Sequence, residues 1–248
     1  MNKVIAIIPA RYQSSRFPGK PLAQINGKPM IQWVYERVSS IQKISQTYVA
    51  TDDERIAECV QQFAGEAIMT SAKHESGSDR LAECTEILKL NEDDIILNIQ
   101  GDEPLIQEIM VQELISTISD QDVYMGTLKE RITNVDDIEN PNIVKVITDV
   151  NNNAIYFSRY PVPYDRSGLK DLVYYRHVGV YAYRVFFLKR FTQLPKSYLE
   201  ITESLEQLRV LENGYKIRVL ETQCSSIGVD TVEQIKLVEE IMRRQIKR

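Results

Sequence analysis

Short apolar runs alternate along the chain with stretches whose apolar residues recur every three to four positions. Val4–Ile8, Tyr48–Ala50 and Ile95–Ile99 read as strands. Met30–Ile41, Glu54–Phe63 and Asp79–Leu90 read as helices between them, because their apolar positions keep helical spacing. Further helices are expected at Ile106–Ile118, Glu203–Glu212 and Val232–Met242. Further strands are expected at Val144–Thr148, Ala154–Ser158, Val178–Tyr183 and Ile217–Leu220. This alternation predicts βαβ units, hence an α/β fold with a mostly parallel central sheet and helices on both faces. No repeat, low-complexity tract or long linker interrupts it. The expectation is one domain over 1–248, with a strand-rich sub-region at about 124–183 that closes over or beside the sheet.

Three polar segments directly follow predicted strands: ARYQSSRFPGK, TDDERI and NIQGDEP. Ligands of open parallel sheets bind beyond the carboxyl ends of the strands, so topology alone brings these loops to one edge.

Charge sharpens that picture. The chain carries a net charge of −5, yet its first acid is Glu36; Lys3, Arg11, Arg16, Lys20 and Lys28 all precede it. A basic loop on an acidic chain suits a local anion better than a nucleic-acid surface. The loop lacks the spacing of a Walker P-loop. Its small residues nevertheless let backbone N–H groups approach phosphates, Arg11 and Arg16 can fork onto them, and Lys20 adds a point charge. A triphosphate fits that charge better than a monophosphate.

Composition narrows the remaining classes. Three scattered cysteines (Cys59, Cys84, Cys224) and two histidines form no CxxC or zinc spacing, and read as small buried residues of a reducing compartment. No apolar run approaches the ~20 residues of a membrane span, and the N-terminal run is too short for a signal core. The expected location is cytoplasmic, without membrane or nucleic-acid partners.

Asp102 ends a strand at Gly101-Asp102, where a carboxylate could hold Mg²⁺ against phosphate oxygens; taken alone, an ordinary turn explains it better, and the metal reading needs a second acid and a phosphate site. Asp230 precedes the last helix, and either it or Thr231 could simply be an N-cap. Ser76, Gly77 and Ser78 could face a base or ribose, or cap a helix. Arg159, before a proline-stiffened loop, could fork onto a carboxylate. In RHVGVYAYR, His177, Gly179, Tyr181 and Tyr183 share one face by strand alternation. Glu203 and Gln207, four apart, share one face of the expected helix.

In order, IIPARYQSSRFPGKPL, INGKPMI, ATDD, SGSDRLAE, NIQGDEP, NPNIVKV, YFSRYPVP, RHVGVYAY, LEQLRVLENG and GVDT resemble the 3-deoxy-manno-octulosonate (Kdo) cytidylyltransferases from Ile7 to Thr231. The resemblance implies a nucleotide-diphospho-sugar transferase-like, Rossmann-like fold. It implies a homodimer that makes CMP-Kdo and pyrophosphate from CTP and Kdo for lipopolysaccharide biosynthesis. Ala10, Arg11, Ser14, Arg16, Lys20 and Gln100 would lie at the nucleotide, and Ser76, Gly77 and Arg80 at its cytosine and ribose. Asp102 and Asp230 would bind Mg²⁺ and, with Arg11 and Lys20, carry catalysis. Gln100, Arg159, His177, Tyr183, Glu203, Glu206 and Gln207 would line the sugar-acid pocket. Ser78-Asp79 and Val162-Pro163-Tyr164 depart from the pairs and triplets common in the family. SRFPGKPLAQINGKPMIQ also looks like the branch that activates an 8-amino analogue of Kdo. Two other readings are a nucleotidyltransferase for sugar 1-phosphates and a non-catalytic nucleotide-binding protein on the same fold.

Overall fold

The structure, a computed structural model, describes residues 2–13, 17–169, 172–225 and 227–246. It divides into two compact units, 1–112 with 226–248, and 113–225.

In the first unit the elements are β1 (Val4–Ala10), a 3₁₀ turn (Lys20–Leu22), β2 (Gln24–Ile25), β3 (Lys28–Pro29), α1 (Met30–Ser39), β4 (Gln46–Thr51), α2 (Glu54–Gln62), β5 (Ala67–Met69), α3 (Gly77–Ile87) and β6 (Ile95–Asn98). Helix α4 (Glu108–Ser116) carries the chain across the division. The second unit holds β7 (Met125–Arg131), α5 (Asp136–Glu139), β8 (Lys145–Thr148), β9 (Ala154–Ser158), β10 (Tyr175–Arg184), α6 (Val185–Gln193), α7 (Tyr198–Glu203), α8 (Leu208–Glu212) and β11 (Arg218–Glu221). Helix α9 (Val232–Ile246) belongs to the first unit again.

Strands β6, β1, β4 and β5 pair in that order, all parallel. Their residues explain this: Ile5, Ala6, Ile7 and Ile8 of β1 are fully buried, as a parallel strand covered on both faces demands. Helix α1 buries Met30, Ile31, Val34 and Val38, a stripe at helical spacing. Asp53 caps α2 by accepting from the Arg55 N–H, and Ser76 and Asp79 form a reciprocal capping box on α3. Helix α9 buries Val238 and Met242 against Ile25, Met30, Leu105 and Val229. Its Glu239 also accepts from the Asn26 N–H of the β2–β3 hairpin, at 2.9 Å. A segment far along the sequence is thereby fixed beside the first loop.

The second unit is mixed: β11 pairs parallel with β7, whereas β7–β10, β10–β8 and β8–β9 are antiparallel. The expected strand-rich stretch 124–183 falls within it.

The expected single helix 203–212 is two helices. Ser204 adopts the left-handed conformation (φ 52°, ψ 50°) and ends α7, with Ser204 and Leu205 N–H groups both donating to Glu200 O. Apolar spacing does not reveal this break: Leu205, Leu208 and Val210, all beyond Ser204, are buried, while Glu200 is the buried residue of α7. The expected regular alternation over 177–183 is also interrupted, by a register shift between Val178 and Tyr181. Of the cysteines, only Cys84 is buried, its thiol pushed up to about 12 by burial; Cys59 and Cys224 are half-buried, and all three are free. Among the described residues, no helix is long and apolar enough to cross a membrane.

Candidate active site

Three chain segments meet at the carboxyl ends of β1 and β6. The first is the loop after β1. Gly19 closes it in the left-handed region (φ 72°), donating its N–H to Tyr12 O at 2.8 Å. A Cβ there would press 3.1 Å from the Tyr12 ring. The following turn fixes the backbone of Lys20, whose N–H donates to Phe17 O. The second segment is the turn after β6. A Cβ on Gly101 would stand 3.1 Å from Pro9 O, so glycine lets the turn pass close against β1 and presents Asp102. The third segment enters α9. Val229 N–H donates to Asp102 O at 2.8 Å and stitches this segment to the Asp102 turn. Thr231 and Gln234 cap α9 reciprocally. Capping therefore falls to Thr231, and the Asp230 carboxylate is directed elsewhere.

It is directed to Lys20. The ammonium lies 2.6 Å from Asp102 Oδ2 and 3.1 Å from Asp230 Oδ1. Burial opposes the charge on Lys20, but Asp102 and then Asp230 outweigh it and hold the ammonium above its ordinary pKa. The three groups line a cleft of about 380 Å³ together with Ala10, Arg11, Gln13 and Gln100. Two carboxylates converging on one cation position suit a small divalent ion that takes its other ligands from phosphate oxygens. Among the described residues no cluster of three or more acidic, histidine or cysteine side chains could hold a metal unaided.

Arg11 donates to Glu75 O at 3.3 Å, which joins the first loop to the entry of α3. Ser76 and Gly77 follow directly. The same entry is braced by Glu83, whose Oε2 accepts from Ser71 N–H at 2.8 Å and lies 2.6 Å from His74 Nε2. Arg80, expected at the base and ribose, is fully buried; its guanidinium lies 3.1 Å from Asp52 Oδ2 and donates to Thr70 Oγ1. It ties the ends of β4 and β5 to α3 from beneath. Ser14 and Arg16 lie outside the described residues. The structure thus brings Ala10, Arg11, Lys20, Gln100, Asp102 and Asp230 to one cleft. Gln13 was missed: nothing in its residue type or spacing separates it from other loop glutamines.

The remaining expected site residues belong to the second unit. Glu203 Oε1 accepts from Ser158 Oγ at 2.9 Å and Tyr156 Oη at 3.3 Å; its Oε2 accepts from Arg159 N–H at 2.9 Å. The Arg159 guanidinium donates to three backbone carbonyls: Glu203 (2.6 Å), Pro141 (2.9 Å) and Ser204 (3.2 Å). The wholly buried Lys145 donates to Asn140, Ile143 and Arg159 carbonyls. Phe157, His177, Tyr181, Tyr183 and Phe191 form a file of rings with centroids 5.0–6.4 Å apart. His177 Nε2 is 3.0 Å from Thr127 Oγ1, and burial, reinforced by Arg176, pushes the imidazole down to about 3. Tyr183 is 1% exposed and packs as core. Gln207 is buried, and Glu206 Oε1 stands 3.8 Å from Arg209. The break at Ser204 removes the shared helical face expected for Glu203 and Gln207.

Residues 5–217 match the model of a family described as cytidylyltransferase. The chain is 52% identical to the 3-deoxy-manno-octulosonate cytidylyltransferase of Geobacter metallireducens, over 98% of this chain and all of that one. It is 50% identical to the protein of the same name from Syntrophus aciditrophicus, over 98% of both chains. Among solved structures, a CMP:2-keto-3-deoxy-manno-octonic acid synthetase complexed with CTP superimposes with a TM-score of 0.92 at 43% identity, over 98% of this chain and all of the other. A 4-diphosphocytidyl-2C-methyl-D-erythritol synthase, at 15% identity and a TM-score of 0.67, shares the fold. The nucleotidyltransferase-like α/β architecture is therefore matched along with the sequence, and the chain belongs to the 3-deoxy-manno-octulosonate cytidylyltransferase family.

Proposed function

We propose that this enzyme transfers the cytidylyl group of CTP to the anomeric hydroxyl of Kdo, giving CMP-Kdo and pyrophosphate. The observation that carries the reading is the convergence of Lys20, Asp102 and Asp230 beside Arg11 in one open cleft. The sugar hydroxyl attacks the α-phosphorus and loses its proton, while the bond from that phosphorus to the β-phosphate oxygen breaks. The transfer needs no covalent protein intermediate. Alignment and charge neutralisation supply the catalysis.

Arg11 and Lys20 supply the cationic charge that holds the triphosphate and stabilises the departing pyrophosphate. Asp102 and Asp230 would hold Mg²⁺, which would supply neutralisation of phosphate charge and Lewis-acid polarisation. The first turn of α3, reached through Arg11 and Glu75, offers Ser76 and Gly77 to the nucleoside. In the second unit, Glu203, Arg159 and Lys145 fix the loops from which the sugar acid is bound. A homodimer fits the family and is part of this proposal.

Pyrophosphate release with CTP and Mg²⁺ tests the reading. Kdo-dependent release supports it. Release only with 8-amino-Kdo keeps the reaction and changes the sugar. No release with either acceptor, despite CTP binding, would overturn it.

A further inference from the structure

Lys20 is placed where a metal ion would have to sit. Its Nζ lies 2.6 Å from Asp102 Oδ2 and 3.1 Å from Asp230 Oδ1. A Mg²⁺ ion needs carboxylate oxygens at ~2.0–2.1 Å. It would have to draw both carboxylates to the point the ammonium now occupies, and like charges exclude each other from that point. The lysine can leave without disturbing the fold. Its backbone is held by Phe17 O, by the Ala23 N–H that donates to Lys20 O, and by Pro21, so only the flexible four-carbon stem need swing. A triphosphate entering the same cleft offers the ammonium new anionic oxygens.

We infer that Lys20 is a removable plug: it neutralises Asp102 and Asp230 until the nucleotide draws it away and opens the cation position. This inference rests on the proposal that Asp102 and Asp230 hold the metal. Its consequence is a binding order. Metal alone is held poorly, nucleotide and metal bind with positive coupling, and part of that coupling runs through one side chain. By linkage, each ligand strengthens the other by the same factor. The plug also keeps two neighbouring carboxylates from repelling each other in the free protein.

The test is a titration of Mn²⁺ into the full-length protein without nucleotide, followed by the electron paramagnetic resonance of free Mn²⁺. Lys20→Met should bind Mn²⁺ at least about tenfold more tightly than the wild type, within the usual range of such couplings. Mn²⁺ should also raise the melting temperature of Lys20→Met more than that of the wild type. Lys28→Met removes the same charge from an ammonium paired with Glu36, and should change Mn²⁺ affinity less than twofold. Adding Asp102→Asn to Lys20→Met should abolish the gain. Lys20→Gln serves the same comparison if the methionine variant does not fold. The inference is overturned if Lys20→Met binds Mn²⁺ no more tightly than the wild type. It is equally overturned if Lys28→Met matches the gain, or if the gain survives Asp102→Asn. Wild-type pyrophosphate release separates the two failures. Release that persists beside a failed titration rejects the plug alone, whereas absent release with no CTP-dependent Mn²⁺ binding rejects the functional reading beneath it.

Discussion

The two units use the same kinds of charged side chain to different ends. In the first, Asp102 and Asp230 keep 30% and 43% exposure and share the Lys20 ammonium on its flexible stem. In the second, Glu203 accepts from Tyr156, Ser158 and the Arg159 N–H, while Arg159 and Lys145 each donate to three backbone carbonyls. A charge held by many fixed partners can serve a ligand only if those bonds break, and stranded partners in a covered site are costly. A charge paired with a mobile ammonium can exchange it. The first cleft can therefore give up its ammonium to ionic ligands, as the proposed function requires. The polar cluster of the second is built to hold loops in place.

The contrast breaks most severely at Arg209. Its side chain and that of Glu200 are almost fully buried, with Nε 2.7 Å from Glu200 Oε2. Arg209→Met would leave Glu200 buried without its partner and should cost about 3–5 kcal/mol of stability, read by urea unfolding. A loss below 1 kcal/mol would show that the second unit does not depend on its internal pairs. Arg159→Ala comes next. Three carbonyls lose a charged donor, so stability should fall by about 1–2 kcal/mol. The KM for the sugar acid should rise more than that for CTP, because the loops of one unit are loosened. Equal rises in both would place Arg159 elsewhere in the account.

At neutral pH the smallest effect concerns His177. Burial, reinforced by Arg176, holds its pKa at about 3, below the ordinary 6.5. Between those values the unfolded chain binds the proton and the folded protein does not, so stability falls as pH drops from 6.5 toward 3. His177→Gln should flatten that acid slope and leave the pH profile of kcat between about pH 6 and 9 unchanged. A kcat inflection that vanishes in the variant would make His177 a titrating participant.

What the sequence revealed follows the same division. The buried runs of β1, β4 and β6 and the stripes of α1 and α2 are set by local periodicity, and their loops at one sheet edge follow from topology. Asp230 reaches that edge through contacts made 213 positions apart, Asn26 with Glu239, which spacing alone does not encode. It was legible through family resemblance. The second unit was less legible because its determinants are not periodic. Ser204 ends a helix in a conformation that serine adopts seldom, and the irregularity after Val178 depends on pairing with β7. Three-residue β5 is too short to carry a period at all. Arg159 is a plausible ligand fork in sequence; only the fold shows the backbone carbonyls that occupy it.

The most direct test is Asp102→Asn, assayed for Kdo-dependent pyrophosphate release and for melting temperature in the same preparation. Loss of an electrostatic group of this kind should lower kcat by ~10²–10³, while a half-exposed carboxamide in place of the carboxylate should leave the melting temperature close to that of the wild type. Turnover near the wild-type rate would contradict the account, since the shared cation position between Asp102 and Asp230 would then have no part in the reaction.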